Sequence, residues 1–358
     1  MAYSSIVKPT DYFNTITYSG NGSNPRTLTG VGFQPDWVWL KNRTDSNGHT
    51  LADAVRGANE TLSSDGTGAE VTDKSDGHLD AFTSDGFTVG AGSSSDARVN
   101  DGSHTYVAWN WLGANGTASN SDGSITSTVS ANTTAGFSII DFTGNETNSS
   151  VGHGLGVAPS MFIMRRYTDD GYSSTTEWYT YHKSLASDKY LRLQSTALVA
   201  TNDGSLWNTS TPVTSSVINI GFNAHSNHTG NKTIIYAFAE KKGYSKFGSY
   251  EGTGNANGTF VYTGFKPAWV LTKRTDDAAD WFIRDNKQDP ENVMNEYLSP
   301  NTSATSGNLD SFDFVSNGFK IRNSNNAWNG SGNSYIYMAF AENSFVANDS
   351  GTAVPVVA

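Results

Sequence analysis

The 358-residue chain contains no cysteine, which excludes disulfide frameworks, thiolate metal sites and cysteine nucleophiles. Charge is scarce as well. Only 16% of residues are charged, and 23 Lys plus Arg stand against 34 Asp plus Glu for a formal net charge of −11. Neutralising a phosphate backbone takes clustered Lys and Arg that are missing here, so nucleic acid is not an expected partner. No apolar run approaches the ~18 residues of a spanning helix, so no membrane partner is expected either. The start, Met1-Ala2-Tyr3-Ser4-Ser5-Ile6-Val7-Lys8-Pro9, has no apolar core behind a basic end, and no secretory signal is read there. Helical periodicity is almost absent.

What is abundant is Gly, at 36 positions, together with Ser, Thr and Asn, which fill about a third of the chain. Nine Trp, 16 Tyr and 18 Phe supply the core that a disordered polar chain would lack. Short apolar or alternating runs such as Trp37-Val38-Trp39-Leu40 and Ile234-Ile235-Tyr236-Ala237-Phe238 lie between clusters of Gly, Asn, Asp and Ser, the pattern of an all-β protein. Helix is expected only around 184–191 and 289–297, where Asp289-Pro290-Glu291 reads as a cap with Pro at the first helical position.

Internal repetition is the strongest signal. Three blocks each open on an aromatic strand running into a Gly turn, at Tyr18-Ser19-Gly20, Phe142-Thr143-Gly144 and Tyr250-Glu251-Gly252. A Gly-to-Pro turn and a strong strand follow: Gly32-Phe33-Gln34-Pro35-Asp36-Trp37-Val38-Trp39-Leu40-Lys41-Asn42-Arg43, Gly156-Val157-Ala158-Pro159-Ser160-Met161-Phe162-Ile163-Met164-Arg165-Arg166, and Gly264-Phe265-Lys266-Pro267-Ala268-Trp269-Val270-Leu271-Thr272-Lys273-Arg274. Each block closes on an aromatic strand, around Tyr106, Tyr236 and Tyr337. Blocks of about 100 residues with frequent turn signals read as three tandem β-sandwich domains. The expected division is an N-terminal arm 1–12, sandwiches over 13–113, 135–242 and 243–345, a Gly/Ser/Asn-rich linker 114–134 and a C-terminal tail 346–358. The junction at Lys241-Lys242-Gly243-Tyr244-Ser245 is expected to be tight. Trp37 and Trp39 share one face of their strand, with Val38 and Leu40 on the other. Apolar residues on both faces place that strand under cover on each side or at a domain contact.

Chemistry is hard to find. No P-loop, dinucleotide fingerprint or nucleophile elbow occurs, so no cofactor is expected. A sandwich glycosidase would need two facing carboxylates, and no strand supplies them. Glu177, Glu240, Glu251, Glu291, Glu296 and Glu342 are isolated. His225 and His228 lack a third ligand for a metal. Asp45-Ser46-Asn47-Gly48 and Asp76-Gly77 read as turns rather than calcium loops. The strand-end bases Lys41, Arg43, Arg165, Arg166, Lys273 and Arg274 recur in register and are expected to pair with the recurrent acids Glu240 and Glu342. Trp111, Tyr172, Trp178, Trp207, Trp281 and Trp328 are candidates for sugar stacking or for interface anchors, with burial the commoner fate. No catalytic, cofactor-binding or metal residue is assigned, and ligand-binding residues stay open.

Taken as an ordered set, the start at Met1–Ile6, Gly32 to Arg43, Val151 to Pro159 and Tyr335 to Glu342 resembles structural proteins of marine tailed bacteriophages over residues 3 to 345. The resemblance implies a virion component with jelly-roll or concanavalin-like sandwiches, and carries no catalytic residues with it. The second block departs from the pattern at Val157, Met161 and Arg165, so its contacts are expected to differ. The function expected is a non-enzymatic virion structural protein on the particle surface, made in the host bacterial cytoplasm: a tail fibre, receptor-binding or capsid-decoration component, homo-oligomeric, with other virion proteins and host surface glycan as partners. The alternative is a carbohydrate-binding adhesion module. A polysaccharide-degrading enzyme ranks third, against the missing paired carboxylates.

Overall fold

The computed structural model describes residues 4–168, 171, 176–344, 346–349 and 352–355, and it is nearly all strand. Each block carries one large antiparallel sheet whose central strands follow the same order. In the first block the opening strand Phe13–Ser19 pairs with the closing strand Thr105–Trp111, which pairs with the Pro-led entry strand Trp37–Asn42 and then Thr50–Asp53. The second block repeats this with Phe137–Thr143, Lys232–Phe238, Met161–Arg166 and Tyr179–His182. The third uses Ser245–Glu251, Ser334–Ser344, Phe265–Arg274 and Trp281–Asp285. A smaller sheet accompanies each: three strands in the first block, two in the second (Ser149–Gly152 with Val217–Ile220) and four in the third.

Alternation along the entry strand explains why both its faces are apolar. Val38 and Leu40 join Leu28, Phe87 and Val89 of the smaller sheet in a cluster private to the first block. Phe162 and Met164 do the same with Ile218 and Ile220, and Val270 with Phe312 and Phe319. The opposite faces meet in one shared cluster, where Trp37, Trp39, Trp109 and Trp111 pack with Ile163, Tyr236 and Phe238 and with Trp269, Ile336, Met338 and Phe340. Trp111, Phe238 and Phe340 occupy the same register position of the three closing strands. Their rings form a triangle, with centroids 6.4, 5.8 and 6.1 Å apart.

The contacts between blocks are cyclic. Trp281 stands opposite Lys273, and His49 and Trp178 directly precede Thr50 and Tyr179, the last paired residues opposite Leu40 and Met164. Each places a ring N–H on a carbonyl of another block: His49 on Ser299 (3.1 Å), Trp178 on Ser63 (2.9 Å) and Trp281 on Arg192 (2.9 Å). Seven residues beyond each acceptor a backbone N–H returns the contact: Glu70 to Tyr167, Val199 to Thr275 and Ser306 to Arg43. Three reciprocal seams of one design arrange the blocks with approximate threefold symmetry around the shared core.

Several local expectations change. Residues 114–134 do not form a connector: Ala118–Asn120 and Ser127–Asn132 extend the large sheet of the second block, because the pairing edge of Phe137–Thr143 accepts any backbone and small side chains suit a twisted edge. Within the N-terminal arm 1–12, Ile6 packs down into the shared core beside Phe13. Neither expected helix forms. The Asp289 carboxylate accepts the N–H groups of Asn295 and Glu296 across a turn into the strand Met294–Tyr297, and 184–191 leads into Lys189–Arg192. Tertiary pairing overrides weak local propensity at both places. The only helical turns are Pro9–Asp11 and Ala224–Asn227 among the described residues. The tail carries a hairpin, Val346–Asp349 with Thr352–Pro355. The 241–245 junction is tight as expected: Tyr244 is buried, and Tyr244 and Ser245 both donate to the Lys241 carbonyl.

Candidate binding site

None of the described tryptophans offers a surface platform. All nine Trp side chains are less than 2% exposed. Trp111, Trp178 and Trp281 lie in the shared core, Trp207 in the second block's own cluster and Trp328 in the third's. Tyr172 falls outside the described residues. The recurrent bases also find other partners. Arg165 donates to the carbonyls of Ser63, Gly66 and Gly68 across a seam, and Lys273 to that of Thr196. Arg43 pairs with Glu296, and Arg274 with Asp276 and Asp277. Glu240 instead holds Lys183 and Lys246, and Glu342 holds Lys266. Asp45 accepts from Ser46 N–H and the Asn47 amide within its turn, and Asp76 binds Arg98. His228 sits 2.9 Å from Glu146, while no group of three or more His, Asp or Glu side chains fit to hold a metal occurs among the described residues.

Two open clefts lie along the second block, whose smaller sheet has two strands. One cleft of about 600 Å³ lies over Tyr179 and Tyr190 and is rimmed by Glu177, Arg192, Asp203 and His225. The strands Tyr179–His182 and Lys189–Arg192 place the two tyrosines edge to face, 5.7 Å apart. Arg192 stacks over Tyr190 at 5.0 Å, donates to its hydroxyl (2.9 Å) and pairs with Glu177 (2.6 Å). Burial alone would lower the Arg192 pKa, but Glu177 outweighs it and holds the guanidinium above its ordinary value. Burial raises Tyr190, which stays protonated at neutral pH. Asp203 is held below the usual carboxylate range by the hydroxyl and N–H of Ser205.

A second cleft of about 490 Å³ lies on the other side of the 203–205 turn: Asp203 and Ser205 line the first, Gly204 the second. Its walls are Ser124, Asn148, Ser149, Ser150, Asn208, Thr209, Ser210, Asn219 and Ile220, without one charged side chain. By comparison, a cleft beside Lys266 and Asp289 holds about 80 Å³. The residues lining the two larger clefts come from seven separate chain segments, many of common turn-forming types, so no sequence signal marks them apart from the divergence of the second block.

Paired antiparallel sheets around a shared core, with open clefts rich in amides and hydroxyls, define an all-β protein. The chain belongs to the DUF7483 family, described as a domain of unknown function, whose model matches residues 8–344. Searches of curated proteins and of solved structures find no match.

Proposed function

We propose that this protein is a non-enzymatic structural component of a bacteriophage virion, displayed on the particle surface as part of a tail fibre, a receptor-binding assembly or a capsid decoration. It consists in this reading of three jelly-roll-like β-sandwich domains, with the strands of 114–134 counted in the second. The observation that carries the reading is the fusion of the three around one cyclic core. A chain that builds threefold symmetry into itself suits a seat of matching symmetry on a symmetric particle, where each of three similar faces meets an equivalent neighbour. Folding without cysteine needs no oxidising compartment, which fits synthesis in a bacterial cytoplasm followed by assembly with other virion proteins and further copies of itself. Labelled antibody against this chain, imaged on purified particles of the phage that encodes it, is expected to decorate intact virions in a regular pattern. Undecorated particles that also lack the chain by mass spectrometry would sink the reading.

A further inference from the structure

The threefold design makes the second block's departure from it informative. All three blocks share the entry strand, the closing strand and the seam contacts, yet both roomy polar clefts described above lie along the block whose smaller sheet has two strands, the first cleft reaching Thr67 of the first block. We propose that these two clefts form one extended groove that binds a neutral oligosaccharide, with the 203–205 turn as the ridge between two subsites. The inference rests on the surface-display reading for its biological setting and on the groove alone for its chemistry.

Three features select this ligand class. The second cleft is lined by five hydroxyl and three amide side chains with no charge, so a phosphorylated, sulfated or cationic ligand finds no counter-ion there. The side chains of Asn148, Thr209 and Ser210 carry no intramolecular hydrogen bond among the described residues and are open to a ligand's hydroxyls. In the first cleft Arg192 is already neutralised by Glu177, leaving Asp203 as an exposed acceptor. That carboxylate is kept ionised by Ser205 and suits a pair of vicinal hydroxyls. Apolar lining is limited to the tyrosine floor, Leu206 and Ile220, too little for a lipid or an apolar peptide. The Ser124–Ser150 pair, in which each hydroxyl accepts the other residue's N–H, and the Asn223 amide on the Ser205 hydroxyl fix the walls before any ligand arrives, which reduces the ordering cost of binding.

The test uses the full chain on an array of neutral hexose and N-acetylhexosamine oligosaccharides of two to six units, followed by titration calorimetry with the best binder. Binding is expected, with longer oligosaccharides bound more tightly than disaccharides because they reach both subsites. Asp203→Ala and the double variant Asn148→Ala/Thr209→Ala, all at surface positions, are each expected to weaken it at least about tenfold, and Tyr262→Ala on the third block to leave it unchanged. A blank array, binding confined to charged glycans, or affinity indifferent to both groove variants overturns the proposal. Loss of glycan binding with the chain still present on virions defeats the groove alone, whereas intact binding by a chain absent from virions defeats the display reading alone.

Discussion

Asn100, Asn227 and Asn329 are buried at equivalent places, one in each block. The side-chain oxygen of each accepts the backbone N–H of Asn21, Asn145 or Thr253, and the amide nitrogen of each donates to the carbonyl of Ser23, Thr147 or Asn255. They hold the Gly turn that opens every block. At Gly20, Gly144 and Gly252 a Cβ would lie within 2.4 Å of a backbone carbonyl oxygen; glycine is required there by close approach rather than by dihedral angle. Asn329→Ala leaves buried backbone groups without partners and is expected to cost about 2–4 kcal/mol by denaturant unfolding.

The buried charges make contrasting cases. Arg56 is held by Asp53 (2.6 Å) and Glu70 (2.7 Å), and Asp53 also accepts from the Tyr236 hydroxyl across a seam. Asp53→Ala leaves the buried guanidinium only Glu70 of its two acid partners and the Tyr236 hydroxyl without its acceptor, and is expected to cost about 3–5 kcal/mol. Arg284 has no acid. It donates to the Ser311 hydroxyl and lies 4.1 and 4.5 Å from the Phe312 and Trp328 ring centroids, while both its terminal nitrogens lack hydrogen-bond partners. Burial pushes its pKa down to about 9. Arg284→Met, filling the same aromatic cage without a charge, is expected to leave the unfolding midpoint unchanged or raise it; a large loss of stability would show that the cation–π contacts outweigh desolvation.

At the scale of elements, the seams vary one design. Trp109 donates to Asp285 and Tyr236 to Asp53. At the third equivalent place the closing strand carries Met338, which cannot donate, and His182 occupies the aspartate position. His182 reverses the contact, accepting the Ser184 N–H at Nδ1 and donating from Nε2 to the Tyr337 carbonyl at 3.1 Å. Burial lowers its pKa to about 4, below the ~6.5 of an unfolded histidine. The unfolded chain therefore takes up the proton first. Stability is complete above about pH 6.5 and declines as pH falls towards 4, by about 3 kcal/mol from this one group. Denaturation at pH 7 and pH 4 is expected to show that loss, reduced in His182→Gln by the corresponding share; an unchanged pH dependence in the variant would refute the assignment.

For the whole molecule, the shared core couples the blocks. Seven of the nine tryptophans lie in it, and each block buries its entry-strand face only against the other two. Calorimetry is expected to give a single cooperative transition. Three separable transitions would mean that the blocks fold alone. Trp37→Ala, which removes a ring stacked 4.3 Å from Tyr236, is expected to lower that one transition as a unit, at a cost of about 3–5 kcal/mol.

The all-β class, the three-block repeat, the doubly apolar entry strand and the tight 241–245 junction were legible in the sequence because each is a matter of local chemistry: β-branched and aromatic runs with period two, Gly and Pro at turns, recurrent motifs in order. The buried asparagines went unread because their type is so common here that three more stand out only once the turns they fill are known. The groove was equally hidden, since residues from Thr67 to His225 become neighbours only through the tertiary fold. Composition determined that aromatics would carry much of the core and that thiol chemistry was closed. Only the tertiary structure decided that the cover over the second face of each large sheet would be the other two blocks, because the area an apolar face removes from water depends on what stands opposite it, and no single block carries that information.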